Sequence, residues 1–345
     1  MDGTLLERAV GISALTFLTS AEKNILLQKL DSLSSLALVS MEDICCMTRR
    51  RIRARFDGRQ AVLRARRALA VIEALHIHVL TESDPAFPAL LREIADAPFV
   101  LFCRGNASCL CTRSVSVVGT RRITAPGRAA ATAFAADAAR AGYTVVSGLA
   151  HGVDEAAHAG ALNAYFDALE KDESCAAAVG KTCAVLPGGI DDIVPAGNRR
   201  LAEKIVSGGG CLISEFPPGV PVERWRFVQR NRIVAGLSPA TVVIEAPPGS
   251  GALLTADFAA GYGREVMIHD AACSESAQMM AAYVVQENAQ AGKRARERTI
   301  MHYIEDGAPR ITDFKDYVRT FTGCPGARHV VREEDAQPAI GERNK

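Results

Sequence analysis

Five apolar runs each end in a turn rich in glycine, proline or polar residues: VSVVGTR at 115–121, TVVSGLAHG at 144–152, TCAVLPGG at 182–189, CLISEFPPG at 211–219 and ATVVIEAPPGSG at 240–251. Glu265–Ile268 has the composition of a sixth strand. Short β-branched runs that alternate with helical patterns predict βαβ units and a parallel sheet covered on both faces. In such a sheet the turns share one edge, where helix N-termini expose backbone N–H groups. This edge is therefore predicted to bind an anion.

The composition is that of an ordinary globular protein. The 345 residues are 48% hydrophobic, which is enough for a full core and about two or three domains. No run of about 18 uncharged apolar residues occurs, so no membrane span is predicted and a cytoplasmic location is expected. The ten cysteines include no C-x-x-C pair, which favours reduced thiols and predicts no metal site.

Positive charge is concentrated in the sequence, although the net charge is only +1. Nine arginines lie between Arg49 and Arg67, with Asp57 as the single acid among them. Other arginines surround the first turn and follow the fourth turn: Arg121, Arg122, Arg128, Arg224, Arg226, Arg230 and Arg232. For polyanion binding, the clustering of these arginines is more informative than the net charge. The first cluster remains open to three interpretations: a solvated face, a DNA-contacting face or a docking surface.

The chain is predicted to contain several units. They are a helical domain at residues 1–78, a linker leading into the core at 79–112, the sheet core at 113–322 and a disordered tail at 323–345. The helical domain follows from apolar residues at three- and four-residue spacing, as at Leu26, Leu30 and Leu33. Two prolines favour a linker after it. Tyr165–Val179 shows no clear period and is interpreted as an excursion from the core.

The phosphate-binding motifs of nucleotide enzymes do not fit this chain. A dinucleotide site needs G-x-G-x-x-G at the first strand-to-helix turn, but Gly119 is followed there by Thr120 and Arg121. Gly180–Thr182 resembles the end of a P-loop, yet Cys175 stands in place of the required glycine and a strand pattern follows. No cofactor is therefore expected.

The candidate site consists of small, hydroxyl-bearing and arginine residues at the strand ends. The guanidinium fork of arginine matches phosphate oxygens in pairs. Phe227 is interleaved with these arginines, and a ring in such a setting can stack on a base for roughly 1–3 kcal/mol. Helix packing explains Phe227 equally well. The candidate single-stranded DNA or phosphate-binding residues are Gly119, Thr120, Arg121, Ser147, Gly148, Arg224, Arg226, Phe227, Arg230, Asn231, Arg232, Ser250 and Gly251.

Asp154 and His158 lie four residues apart and so share one face of the helix predicted after the second strand. Asp154 is predicted to be the N-cap of that helix, because aspartate is among the preferred capping residues. The pair is therefore interpreted as a capping and packing pair, with a catalytic dyad as the alternative.

An ordered set of motifs runs from about Ile77 to Arg264. It comprises TESD at 81–84, PFVLF at 98–102, VVGTR at 117–121, VSGLAHGVD at 146–154, ISE at 213–215, RNRIVAGLS at 230–238, VIEA at 243–246 and SGALLTA at 250–256. This set closely resembles the DNA-processing protein A family, also known as Smf. The resemblance implies an extended Rossmann-like core that binds single-stranded DNA, a helical domain like the sterile alpha motif, and a homodimer. It also implies a non-enzymatic role in natural transformation (competence) and recombination, in which DNA is passed to the RecA recombinase.

The chain departs from the family pattern at several positions. Thr120 replaces the usual serine and keeps its hydroxyl, whereas Val194–Pro195 replaces Tyr-Pro and loses an aromatic ring. Ile268–Asp270 stands where Val-Pro-Gly is usual. The residues after about Cys324 are too few and too polar for the winged helix that many members carry, so none is expected.

Two functions stay open on the sequence alone. The first is a mediator that binds and protects single-stranded DNA and loads RecA. The alternative is a nucleotide phosphoribohydrolase-like enzyme that uses the same turns, with Glu215 or Glu245 as its catalytic carboxylate. The resemblance favours the first, because it names no reaction. Salt dependence separates the two, since strand binding through several phosphates weakens steeply as salt rises.

Overall fold

The computed structural model describes residues 3–292 and 298–323. These residues form one nine-stranded sheet, its covering helices and a helical unit at the start. The strands are β1 His78–Thr81, β2 Val100–Gly105, β3 Ser114–Val118, β4 Thr144–Ser147, β5 Thr182–Val185, β6 Cys211–Ser214, β7 Ala240–Val243, β8 Glu265–His269 and β9 Arg310–Ile311. The α-helices are α1 Gly3–Ser13, α2 Ser20–Lys29, α3 Met41–Thr48, α4 Gly58–Ala74, α5 Ala89–Arg92, α6 Ala125–Arg140, α7 Val153–Leu169, α8 Glu173–Ala178, α9 Arg199–Ser207, α10 Arg224–Gly236, α11 Gly251–Gly261, α12 Glu275–Gln290, α13 Ile300–Glu305 and α14 Phe314–Gly323.

The sheet has the strand order β1-β2-β6-β5-β4-β3-β7-β8-β9. Strands β3 to β9 are parallel to one another, and the β1–β2 and β2–β6 pairs are antiparallel. The predicted α/β class with a mainly parallel core is confirmed. From β3 the chain moves outward through β4, β5 and β6, and it then returns to place β7 on the other side of β3. Because the direction reverses there, β3 and β7 flank a topological switch point, where open α/β sheets form a ligand crevice.

Alternate residues of the buried strands enter different hydrophobic clusters, as the two-residue period of a strand requires. Val146 packs with α10 and α11, whereas Val145 packs with α6, α7 and α14. Leu212 joins a third cluster that also contains Leu26 and Phe102, so the helical unit is packed directly on the sheet. Both faces of the sheet are therefore covered, and the strand ends remain as the open edge.

Two sequence predictions are corrected by the structure. Tyr165–Leu169 continues α7 and Glu173–Ala178 forms α8, so the supposed excursion is mostly helical, in keeping with its alanine content. The predicted linker at 79–112 contains most of β1 and all of β2, which extend the sheet. The predicted tail lies outside the described residues from position 324 onward. No helix within residues 3–292 and 298–323 is long and apolar enough to cross a membrane.

Candidate nucleic-acid interface

A cleft of about 800 Å³ opens at the carboxyl ends of β3 and β7, at the switch point of the sheet. Its walls are the turns after β3 and β7, one face of α10, the start of α11 and the last part of α12. The cleft therefore lies where the sequence predicted an anion-binding edge.

The turn after β3 is fixed at its base by main-chain hydrogen bonds. The Thr120 N–H donates to the Glu245 carbonyl at 2.7 Å, and the Val153 N–H donates to the Thr120 carbonyl at 3.1 Å. A Cβ on Gly119 would lie 2.3 Å from Cγ2 of Val153, so only glycine fits this close approach. The exposed side chain of Arg121 is therefore presented by a turn with little freedom.

Arg121 contacts an aromatic ring on the opposite wall. Its guanidinium carbon lies 5.3 Å from the centroid of the Phe227 ring, within the range of a cation–π contact. Phe227 is half-buried and lines the cleft together with Arg224 and Asn231, which lie on the same face of α10 at three- and four-residue spacing. The Nδ2 of Asn231 donates to the Gly251 carbonyl at 3.1 Å and joins α10 to the start of α11. The wall thus offers a cation and a ring side by side.

Arg230 forms the buried floor of the cleft. Its Nη1 donates to the Val185 carbonyl at 3.1 Å, and its Nε has no hydrogen-bond partner among the described residues. Gly148 leaves the space for this guanidinium, because a Cβ there would lie 1.6 Å from Nη1. Burial raises the pKa of Asp154, and the positive charge of Arg230 opposes that rise. The floor therefore holds a cation with a neighbouring acid in a desolvated setting.

Asp154 is not the N-cap of α7, contrary to the prediction. The helix begins at Val153, Gly152 occupies the cap position, and Oδ2 of Asp154 accepts from the Ala150 N–H at 3.2 Å. His158 is buried and its Nδ1 lies 2.7 Å from Oγ1 of Thr182. Burial, and next the charge of Arg230, lower the pKa of His158 to about 3, so the ring is neutral near pH 7. Packing and shaping of the loop describe this pair better than catalysis.

The wall formed by the start of α11 begins at Ser250, the residue before the helix. The Ser250 hydroxyl is buried and has no hydrogen-bond partner within the described part of the chain. Helix α11 follows at Gly251, and the first N–H groups of a helix attract anions through the helix dipole. This corner of the cleft offers donors without cationic side chains.

One acidic side chain of α12 reaches the cleft. Glu287 forms an ion pair with Arg122, in which Nη2 of Arg122 donates to Oε1 at 3.1 Å. Arg122 also lies 6.0 Å from the centroid of the Tyr283 ring. Both charges are about half exposed. The carboxylate of Glu287 is therefore already paired with Arg122, one of the cations that a phosphate could contact.

Most of the predicted site residues come together in this cleft. The ten that line it are Gly119, Thr120, Arg121, Gly148, Arg224, Phe227, Arg230, Asn231, Ser250 and Gly251. Ser147, Arg226 and Arg232 do not line it. The DNA-binding role of these residues remains a prediction.

The three predicted residues outside the cleft make internal contacts. The Ser147 hydroxyl donates to the Val117 carbonyl at 2.7 Å, and Arg226 pairs with Glu223 at 3.2 Å. Arg232 is buried, and its Nη2 lies 2.5 Å from Oε2 of Glu215. These side chains lie outside the cleft and stabilise its walls through these contacts, and their part in DNA binding stays a prediction.

Neither candidate catalytic carboxylate lines the cleft. Glu215 pairs with Arg232, and burial raises the pKa of Glu215. Glu245 accepts from the Thr124 N–H at 3.0 Å and from the Thr124 hydroxyl at 2.5 Å, and so it anchors the start of α6. No cluster of three or more His, Cys, Asp or Glu side chains within the described ranges is suited to a metal ion.

Sequence reasoning missed several lining residues. Arg122 was noted only as part of the basic cluster, although it follows Arg121 directly at the strand end. Pro247–Gly249 also lines the cleft, although these residues carry no donor side chain. Val284, Glu287 and Asn288 lie on α12, far along the chain, and no local signal places that helix at the cleft.

Residues 78–305 match the sequence profile of the family described as "DNA recombination-mediator protein A". The chain belongs to this family. The match begins with β1 and covers the whole sheet up to β8 together with the cleft. It confirms the family that the motifs indicated, and the family description names a mediator of recombination and no reaction.

Relatives with curated descriptions include Protein Smf of Synechocystis, 41% identical over 54% of this chain and 44% of its own length. The DNA processing protein DprA of Bacillus subtilis is 35% identical over 58% of this chain and 63% of its own length. The chain thus spans roughly half to two thirds of the length of these relatives.

Solved structures agree with the fold. The X-ray structure of DNA processing protein A from Streptococcus pneumoniae superposes with a TM-score of 0.62 at 26% identity, covering 92% of this chain and 98% of the other. DNA processing protein A from Helicobacter pylori, described for its single-stranded DNA binding mode, gives a TM-score of 0.53 at 22% identity, over 72% and 96% of the chains. The second likeness concerns the fold alone.

Proposed function

We propose that this protein binds single-stranded DNA in the cleft at the sheet edge and acts as a recombination mediator without chemistry of its own. The observation that carries the proposal is the pairing of Arg121 with Phe227 above the buried cation Arg230. A backbone phosphate fits the two guanidinium groups, and a base fits the exposed part of the ring. Stacking on a ring tolerates any base, so the site suits single strands of mixed sequence.

Several features support phosphate binding in the cleft. The Ser250 hydroxyl and the first N–H groups of α11 are donors that a phosphate oxygen can use. Arg230 is buried, and an ion pair with phosphate is stronger there than in water. Unstacked bases are available only in single strands, which separates this ligand from a duplex.

The finer part of the proposal concerns delivery of the strand. We infer that a homodimer protects the bound strand in the cytoplasm and passes it to RecA during recombination or natural transformation. Family membership supports this sequence of events. The exposed apolar side chains Met279 and Tyr283 of α12 support a contact with a second copy.

Fluorescence anisotropy with a labelled oligonucleotide tests the DNA site. We expect Arg121→Ala to weaken single-strand binding about tenfold or more, and to reduce the slope of log affinity against log salt by about 0.7 for one lost phosphate contact. Arg140→Ala is the control, because Arg140 is also exposed and lies at the end of α6 away from the cleft, where it pairs with Asp137. Equal binding by wild type and R121A, or equal losses in R121A and R140A, would overturn the proposal.

A further inference from the structure

The arginine-rich surface of the helical unit carries charge that the acidic side chains of the described residues do not neutralise. Of the nine arginines between Arg49 and Arg67, Arg50 pairs with Glu22, and the other eight are exposed with no ion pair to any described residue. Asp57, the only acid in this stretch, is engaged in capping α4 through the Gln60 N–H at 3.1 Å. Such a surface attracts a polyanion more strongly than a mixed surface does.

A groove of about 590 Å³ leads from this surface to the sheet edge. Arg64 and Arg67 of α4 line one side, and Pro217–Pro221 with Arg226 line the other. Two carboxylates also line it, but each already has a partner. Asp191 accepts from the Gly219 N–H at 3.0 Å, and Glu223 pairs with Arg226. Three arginines (Arg64, Arg67 and Arg226) against two carboxylates (Asp191 and Glu223) leave the groove with a net charge of +1, and the α4 arginines are its cations without an acidic partner among the described residues.

The first turn of α10 joins the groove to the cleft. Arg224 lines the cleft, whereas Glu223 and Arg226 line the groove. Trp225 lies between Arg224 and Arg226 in the sequence and is 46% exposed. The centroid of its ring lies 5.0 Å from the guanidinium carbon of Arg226. An exposed indole between two basic positions is a platform on which a base can stack.

We propose that a DNA strand bound in the cleft continues over Trp225 and along the groove to Arg64 and Arg67. The helical unit thereby lengthens the binding site and increases the affinity for long strands. This inference rests on the proposed function of the cleft, because the same strand must occupy both regions. Continuity through α10 and the uncompensated charge of α4 are the two observations that favour it.

The test compares oligonucleotides of about 6 and about 20 nucleotides, lengths that bracket common site sizes for single-strand binding folds. Arg64→Gln with Arg67→Gln removes the two groove cations at exposed positions. The matched control is Arg140→Gln with Lys171→Gln, which removes two exposed charges near the ends of α6 and α7. Affinity is measured by anisotropy over a salt series for wild type, both double variants and R121A.

We expect R64Q/R67Q to weaken the long strand and to lower its salt slope by about 1.4, or 0.7 for each phosphate contact. The short strand should bind as in wild type, and the control should change neither. If the long strand keeps its affinity and slope, or if both strands weaken equally, the extended path is wrong. Loss of duplex binding alone would assign the α4 surface to another ligand and also overturn it. The proposal that DNA binds in the cleft is refuted by a different result, namely unchanged binding of the short strand in R121A.

Discussion

Gly148→Ala is expected to displace the guanidinium of Arg230 without removing its positive charge. A Cβ at residue 148 would lie 1.6 Å from Nη1, 2.4 Å from Cζ and 2.5 Å from Nη2 of Arg230, well inside contact distance. The guanidinium must move, and it then loses its hydrogen bond to the Val185 carbonyl. Hydrogen bonds to charged groups contribute about 1.5–3 kcal/mol, so we expect the free energy of unfolding to fall by about that amount.

The same displacement removes a cation from the floor of the cleft. If Arg230 contacts a phosphate, a loss of about 1.4 kcal/mol or more in binding corresponds to a tenfold or larger weakening for single-stranded DNA. Urea denaturation measures the first effect, with an unchanged m-value as the sign of an intact fold, and anisotropy measures the second. Both assays use one protein that keeps every arginine.

Gly261→Ala is the control. It makes the same chemical change in the last residue of α11, outside the cleft, where no atom lies within 4 Å of the new Cβ. Stability should not fall, and DNA affinity should stay close to that of wild type. The reasoning is refuted if G148A retains wild-type stability and binding, or if G261A loses as much as G148A does.

Two other predictions concern charge. Glu287→Gln should strengthen single-strand binding up to about fivefold by releasing Arg122 from its ion pair, with little change in stability because the pair is exposed. Asp167→Asn, at an exposed acid near the end of α7, is the control, and unchanged affinity in E287Q would exclude competition between Glu287 and the strand. Burial lowers the pKa of Lys23 from 10.5 to about 8, so between these values the unfolded state holds a proton that the folded state has lost, and the free energy of unfolding should rise with pH. Lys23→Met should flatten that rise in urea titrations at pH 8 to 10.5, and parallel curves for the two proteins would contradict the assignment.

The sheet could be predicted because its parallel strands are buried on both faces and therefore appear as continuous apolar runs. Strand β1 could not be found in this way, because His78–Thr81 is a half-exposed edge strand that precedes a proline-containing turn. The helical continuation at Tyr165–Leu169 could not be found because it has no amphipathic period, although Ala168 and Leu169 favour a helix.

The cleft could be predicted from strand ends, since all loops after parallel strands meet at one edge. Which side chains face it depends on helical phase. Arg224, Phe227 and Asn231 share one face of α10, while Arg226 and Arg232 fall on other faces, so a spacing argument could have separated them. Burial does not separate the two groups, because Arg232, which pairs with Glu215, is buried as fully as Arg230, which lines the cleft.

The turn that carries Arg121 is held at its base by Glu245 from two directions. The backbone carbonyl of Glu245 accepts a hydrogen bond from Thr120, and its carboxylate accepts hydrogen bonds from Thr124, so the three residues between the two threonines are closed by one residue just after β7. A loop closed in this way has lost conformational entropy before any ligand binds. On the proposed function, binding of DNA then requires little reorganisation of the protein, and its rate should be set by diffusion and electrostatic steering rather than by folding of the loop.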